Sequence, residues 1–300
     1  MSLNIPNLER NKFLAPFTTY KIGGPADLFV EVHTIDELIN ALSEARRNRI
    51  PFFLLGCGAN ILVTDKGFRG LVIRNRANKV TFLDNDRVLA ESGVIVGNLI
   101  EQCCDRGLSG LEHFVDIPST VGGAMWQNLH FLSPDRQRTV LIEEIVCESR
   151  IITEEGQIST VGVDYFQFDY DKSILQKRQD IVLDVTFQLT PKSRDEIQAV
   201  MDANLKWRGD KQPLLADYPS CGSVFKKIEG AGAGRLIEQA GLKGKRAGGA
   251  EVSRKHANFI VNTGSARASD VLRLIKLVQD EVKRKSGYSL ETEITVVGEL

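Results

Sequence analysis

Between Thr34 and Leu42 apolar side chains return every three or four residues, at Ile35, Leu38, Ile39 and Leu42, the spacing of one helix face. Thr34-Ile-Asp-Glu37 has the order of a capping box, so the helix is predicted to start there, with the Thr34 hydroxyl accepting the Glu37 amide and Glu37 reaching back. The pattern then shortens into strand-like runs. Pro51–Leu55 ends in a glycine, and Leu71–Arg74, Val80–Leu83 and Val88–Ala90 follow. A second helix turns Val96, Leu99, Ile100 and Cys103 inward and stops at Gly107, a left-handed cap. Ser193-Arg-Asp-Glu196 repeats the capping box, with Ile197, Val200 and Met201 as its stripe; this helix reads as a bridge into a distinct C-terminal part. The last long helix sets Val271, Leu274, Ile275, Val278 and Val282 on one face and ends before Gly287. A closing strand is predicted over Leu290–Val297. The chain is a mixture of α and β elements with no internal repeat and no long linker.

Composition changes this picture little. Three hundred residues, 42% hydrophobic and 26% charged, are ordinary for a globular protein and enough for two or three cored domains. Lys and Arg number 38 against 39 Asp and Glu, so no net field favours nucleic acid or a membrane surface, and any anion site has to come from local clusters. No apolar run approaches the roughly 20 residues of a membrane span, and the opening MSLNIPNLERNKF lacks the apolar core of a signal peptide. The expectation is a soluble, cytoplasmic protein without a nucleic-acid or membrane partner. Cysteines 57, 103, 104, 147 and 221 are odd in number and form no CxxC pair; they read as buried reduced thiols, and no metal site is expected.

Candidate chemistry begins with turns of small residues. Gly56-Cys-Gly-Ala-Asn60 follows a buried strand, and successive amides in such a turn can nest a pyrophosphate. It is not a dinucleotide fingerprint, because Ile61 stands where a glycine is required, and by itself a plain β-turn explains it equally well. Ile117-Pro-Ser-Thr-Val-Gly-Gly-Ala124 and Thr18-Thr-Tyr-Lys-Ile-Gly-Gly-Pro25 are two more. Three such turns in the first 125 residues suit a long ligand with a phosphate-bearing middle and a flat ring. Farther on, Tyr218-Pro-Ser-Cys-Gly-Ser-Val-Phe-Lys-Lys227 offers serines and a cysteine, but none of the four histidines lies in a triad motif that would make a serine nucleophilic. Glu291 and Glu293 share a face of the predicted last strand, and spacing does not choose between them. Lys211, Lys226 and Lys227, with Arg208, Lys243, Lys245, Arg246, Arg254 and Lys255, make the last third locally basic, which fits an anionic ligand.

Thr19-Tyr-Lys-Ile-Gly-Gly-Pro25, Leu55-Gly-Cys-Gly-Ala-Asn-Ile-Leu62, Gly107-Leu-Ser-Gly-Leu-Glu112 and Ile117–Ala124 occur in order, followed by Gly222-Ser-Val-Phe-Lys226, Gly241-Leu-Lys-Gly244, His256-Ala-Asn-Phe-Ile-Val-Asn262 and Leu290-Glu-Thr-Glu-Ile294. Together, over residues 10–298, they resemble the UDP-N-acetylenolpyruvoylglucosamine reductases, in their shorter subtype. The resemblance implies an α+β fold. A two-lobed FAD-binding domain of the vanillyl-alcohol-oxidase (PCMH) type spans residues 10–192 (lobes 10–75 and 76–192), and a smaller C-terminal α/β substrate domain spans 193–300. It implies non-covalent FAD, NADPH as co-substrate, a small nucleotide-sugar substrate and a monomer. Flavin contacts are implied for Tyr20, Gly23, Gly56, Cys57, Gly58, Ala59, Asn60, Pro118, Ser119, Thr120, Gly122, Gly123 and Ala124. Ser223 is implied as proton donor, Glu293 as the catalytic carboxylate, and Lys211, Lys226 and Lys227 as diphosphate contacts. Ser220 and Cys221 read as turn residues.

Four departures fall at the implied site. Where the family has Tyr-Arg-x-Ser, with the arginine meeting the substrate carboxylate, this chain has Tyr170-Asp-Lys-Ser173. Asp171 therefore occupies the arginine position, and Lys172 can substitute only if the backbone turns locally. Leu129-His130 replaces Ala-Gly after Asn128; Lys227 replaces an asparagine; Asp116 replaces a glycine or similar small residue before Ile117-Pro118. Either the reductase site is rewired, with Lys172 or Lys227 covering for the arginine, or the chain is an FAD-binding paralogue for a different anionic substrate. A non-catalytic flavin or nucleotide-sugar binder is the third reading. His113 and Cys57 lie near candidate flavin turns but read as packing residues, as does His256.

Overall fold

A computed structural model describes residues 3–228 and 230–299. Among them are six α-helices, α1 (Ile35–Arg47), α2 (Val96–Cys104), α3 (Val121–Gln127), α4 (Arg194–Lys211), α5 (Ala233–Gln239) and α6 (Ala268–Ser286). None of these helices is long and apolar enough to cross a membrane. The packing divides into two units. One takes the chain up to Asn7, Val30–Cys57 and Ile73–Trp207; the other takes Leu8–Phe29, Gly58–Val72 and everything from Arg208 onward.

In the first unit a five-stranded antiparallel sheet has the order Ile158–Gly162, Val146–Ile152, Ile181–Gln188, Arg87–Glu91, Val80–Leu83. Ile181–Gln188 lies centrally, with Val185 opposite both Ser149 and Ala90, and is buried along nearly its whole length, as a strand covered on both faces must be. Helices α2 and α3 close over it around Phe114, Phe166 and Phe187. Half of the capping box predicted at Thr34 forms, with Glu37 N–H donating to Thr34 Oγ1 at 3.2 Å. Glu37 reaches one residue beyond the cap, to the His33 amide at 2.6 Å. The Ser193 box closes in both directions, at 3.3 and 3.0 Å.

The second unit has its own core around Tyr20, Phe225, Ile237, Val271 and Leu274. Arg246–Ala247, Ala250–Val252 and Ile260–Asn262 form a three-stranded antiparallel sheet, on which α6 lies with α5 against it. Gly287 ends α6 with φ +77°, and its amide donates to the Lys283 carbonyl at 2.9 Å, the predicted left-handed cap. The closing strand is shorter than the pattern suggests. Only Thr295–Val297 is a strand, paired in parallel with Ile61–Val63, because residues just before it bond elsewhere. The boundary expected at 192–193 lies at the start of α4, whereas the packing units part within that helix, between Trp207 and Arg208.

Candidate active site

In the first unit the strand Phe52–Leu55 delivers the chain into Gly56 and Cys57, which lie against the segment leading into α3. A Cβ on Gly56 would fall 2.6 Å from Thr120 Oγ1, so the close approach requires glycine. Thr120 caps α3, accepting the Gly123 amide at 3.2 Å. The Val121 and Gly122 amides donate to the Val94 and Ser92 carbonyls, each at 2.8 Å, and the Val96 amide donates to Ser119 at 2.9 Å. The course of Pro118–Ala124 is thereby fixed. Among the described residues, the amides of Gly56, Cys57, Ser119 and Thr120 donate to no protein acceptor. Amides held in place without partners fit an anionic group such as the pyrophosphate of FAD. Burial pushes the Cys57 thiol up to about 11 against the opposing pull of Arg74 and Arg76, so it is neutral there.

The second unit continues the turn. Gly58, at φ +64°, presents its carbonyl to the Thr19 amide at 3.0 Å, and a Cβ there would meet the Phe17 carbonyl at 2.5 Å. The Gly58 and Ala59 amides also lack a protein acceptor among the described residues. Gly23 packs closely, a Cβ lying 3.1 Å from both Ala15 N and Val63 Cβ. Tyr20 is anchored within this unit. Its ring is buried, its hydroxyl donates to the Ile260 carbonyl at 2.9 Å, and its own carbonyl accepts Asn262 Nδ2 at 3.0 Å. The side chain is a bolt between the Thr18–Pro25 turn and the sheet.

Ser223 and Glu293 occupy neighbouring rungs of a short antiparallel ladder. The Glu293 amide donates to the Val224 carbonyl at 2.8 Å, Phe225 bridges to Thr292, and the Lys226 amide donates to the Glu291 carbonyl at 2.9 Å. Ser223 directly precedes Val224, is half-buried, and its hydroxyl bonds to no protein group among the described residues. Gly222, at φ +81°, swings the chain into this ladder. Asn258 holds it there: its Oδ1 accepts the Phe225 amide at 3.0 Å, its Nδ2 donates to the Phe225 carbonyl at 2.8 Å, and its carbonyl accepts the Val224 amide at 2.8 Å. Spacing did not assign Asn258 a role, although it lies in the His256–Asn262 motif. The two glutamates differ physically. Glu291 is 78% exposed and pairs with Lys226 Nζ at 3.3 Å, whereas Glu293 is half-buried. Lys211, at the end of α4, and Lys227 are exposed. His256 is a packing residue, its Nδ1 accepting the Asn258 amide at 3.2 Å and its ring edge-on to Phe259.

The backbone does turn locally at Asp171, which has φ +58° in a tight turn closed by reciprocal amide–carbonyl bonds between Asp169 and Lys172 at 3.2 and 3.0 Å. In this turn Lys172 Nζ pairs with Asp169 at 3.2 Å, both side chains largely exposed. The Asp171 carboxylate instead accepts Gln127 Nε2 at 2.8 Å and stands 3.6 Å from His130 Nδ1. Asn128 ends α3 in the left-handed region and donates Nδ2 to the Asp169 carbonyl at 3.2 Å. Asp116 has φ +61°, which explains a small residue in the family pattern and the choice of Asp here, since Asp and Asn tolerate that region best after glycine.

Comparison with known proteins adds a second line. Residues 212–297 match the model of the UDP-N-acetylenolpyruvoylglucosamine reductase C-terminal domain, and residues 26–162 match that of an FAD binding domain. Curated UDP-N-acetylenolpyruvoylglucosamine reductases of Clostridium botulinum and Syntrophomonas wolfei are 39% and 40% identical, covering 94% and 97% of this chain and 90% and 95% of their own lengths. The crystal structure of the Thermus caldophilus reductase superposes with a TM-score of 0.81 at 32% identity, covering 97% of this chain and 99% of that one. p-Cresol methylhydroxylase shares the fold alone, with a TM-score of 0.55 at 12% identity over 95% of this chain and 84% of its own. The fold is therefore α+β, with an FAD-binding domain of the PCMH type and a C-terminal domain like that of these reductases.

Proposed function

This chain belongs to the UDP-N-acetylenolpyruvoylglucosamine reductase family, and we propose on that premise that it reduces the enolpyruvyl ether of UDP-N-acetylglucosamine to UDP-N-acetylmuramate, the muramic-acid precursor of peptidoglycan. The observation that carries the proposal is the ladder that sets the Ser223–Phe225 segment against Thr292 and Glu293, with Asn258 holding Val224 and Phe225. The Gly56–Asn60 and Pro118–Ala124 turns would hold FAD through the amides of Gly56, Cys57, Gly58, Ala59, Ser119 and Thr120. When bound, FAD supplies the hydride for the vinyl carbon remote from the carboxylate, and NADPH restores it.

Negative charge then develops on the adjacent carbon and its carboxylate. Ser223 delivers the proton that this carbon needs; a hydroxyl suffices because the acceptor is carbanion-like and held a hydrogen bond away. Glu293 keeps charge and proton in register, and Lys211, Lys226 and Lys227 bind the diphosphate. The protein works in the cytoplasm as a monomer, which size-exclusion chromatography with light scattering would check.

The test is NADPH oxidation by FAD-loaded protein with and without the enolpyruvyl sugar. Oxidation that requires the sugar, and that falls on the order of 10²-fold or more in Ser223→Ala, supports the proposal. Asp171 favours a second reading, a paralogue with a different anionic acceptor. Flavin that NADPH reduces but the enolpyruvyl sugar does not reoxidise would establish that reading instead.

A further inference from the structure

Charge that grows on a substrate carboxylate calls for a fixed cation beside it, and Lys172, paired with Asp169 at the exposed surface, is not fixed. Two of the departures from the family pattern meet in the first unit. His130 and Asp171 are far apart in sequence, yet His130 Nδ1 lies 3.6 Å from Asp171 Oδ1 and 3.3 Å from the Asn128 carbonyl at the end of α3. A proton on Nδ1 thus faces a carbonyl and a carboxylate. Asp171 is itself held. Gln127 Nε2 donates to its carboxylate and Gln176 Nε2 to its carbonyl, each at 2.8 Å. The Tyr170 ring covers His130 with centroids 4.3 Å apart. The carboxylate side chain is 9% exposed while the imidazole keeps 20%, so the ring retains an open edge.

Among the described residues, the charges on the elements around His130 have partners of their own or are absent. Helix α3 carries none, and neither does Thr139–Leu141, the strand paired with His130–Leu132. Arg138 beside that strand pairs with Glu144 at 2.9 Å. The Glu112–Phe114 turn, packed against His130–Leu132, brings Glu112, whose carboxylate accepts Ser109 Oγ and the Gly110 amide, and His113 at 3.9 Å from it. Asp169 and Lys172 neutralise each other.

We propose that His130 and Asp171 together do the work of one arginine. Asp171 is the positioning residue that keeps protonated His130 oriented through Nδ1–H, and Nε2–H is the donor offered to the substrate carboxylate. This role rests on the reductase reading. Its test is the pH profile of kcat/KM for the enolpyruvyl sugar, read beside the NMR titration of the His130 Cε1–H resonance. The wild-type rate falls as pH rises through the His130 midpoint. His130→Gln lowers kcat/KM on the order of 10²-fold at low pH, more in kcat than in KM, and loses that limb. Asp171→Asn, which keeps the volume, moves both the limb and the resonance midpoint to lower pH, because the stabilising carboxylate is gone. A His130→Gln profile parallel to wild type, or a resonance midpoint unmoved in folded Asp171→Asn, overturns the role while leaving the reductase standing. A wild-type protein inert toward the enolpyruvyl sugar overturns the reductase reading and this role with it.

Discussion

Asn258 spends both ends of its amide on the backbone of one buried residue, the N–H and C=O of Phe225. Asn258→Ala leaves a buried N–H and a buried C=O without partners, which costs about 2–3 kcal/mol. Urea unfolding measures that loss, and the loosened Ser223 segment lowers kcat in the same variant. Cys221 lies in the same neighbourhood. Burial pushes its thiol up to about 12, with the Tyr20 hydroxyl pulling the other way and Glu293 adding to the rise. The folded-state value is above the unfolded one, so the stabilisation is complete below about pH 9 and is lost as pH rises toward 12. Urea midpoints should fall with pH above 9, and fall less steeply in Cys221→Ala. The residue pattern identified Ser223 and Glu293 only through family resemblance. The reason is physical: the Glu291–Glu293 alternation looked like one strand face, whereas a broken strand exposes one carboxylate and half-buries the other.

Among the elements, α6 shows how much of this fold is written locally and where that stops. Its apolar stripe and the Gly287 stop follow from periodicity. Its N-terminus does not, because the acceptor comes from far away in sequence: Asp65 Oδ1 and Oδ2 accept the Ala268 and Ser269 amides at 2.8 and 3.1 Å. Burial alone would raise the Asp65 carboxyl, but the Ser269 and Ala268 hydrogen bonds and Arg267 outweigh it and hold it below its usual range. Asp65→Ala should therefore cost about 1 kcal/mol, as a lost helix cap does, read as a lower urea midpoint at neutral pH. That difference shrinks in acid, as the wild-type carboxylate protonates. The Thr34 cap and the Ser193 capping box needed no such partner and were legible from local sequence. The closing strand was not, because its first residues bond to the Ser223 segment rather than to a sheet.

For the molecule as a whole, periodicity reveals α and β elements but not which of them share a core. The lobes expected at 10–75 and 76–192 follow chain order, whereas the cores collect Tyr20, Ile22 and Leu62 with residues beyond Arg208. A fragment ending at Trp207 would keep Leu8–Phe29 and Gly58–Val72 and lack the core they pack into. It should expose those apolar side chains and aggregate, which light scattering of the purified fragment beside the full chain would measure.

The chain changes unit at Asn7–Leu8, Phe29–Val30, Cys57–Gly58, Val72–Ile73 and Trp207–Arg208. On the ribosome this interleaving sets a timetable. The segments that carry Tyr20 and Leu62 emerge early, yet the Ile260 carbonyl that receives the Tyr20 hydroxyl is translated some seconds to tens of seconds later at ordinary elongation rates. Through that interval the nascent chain carries unburied apolar segments near its start, and trigger-factor-like holdases have a defined stretch to shield until the last third arrives.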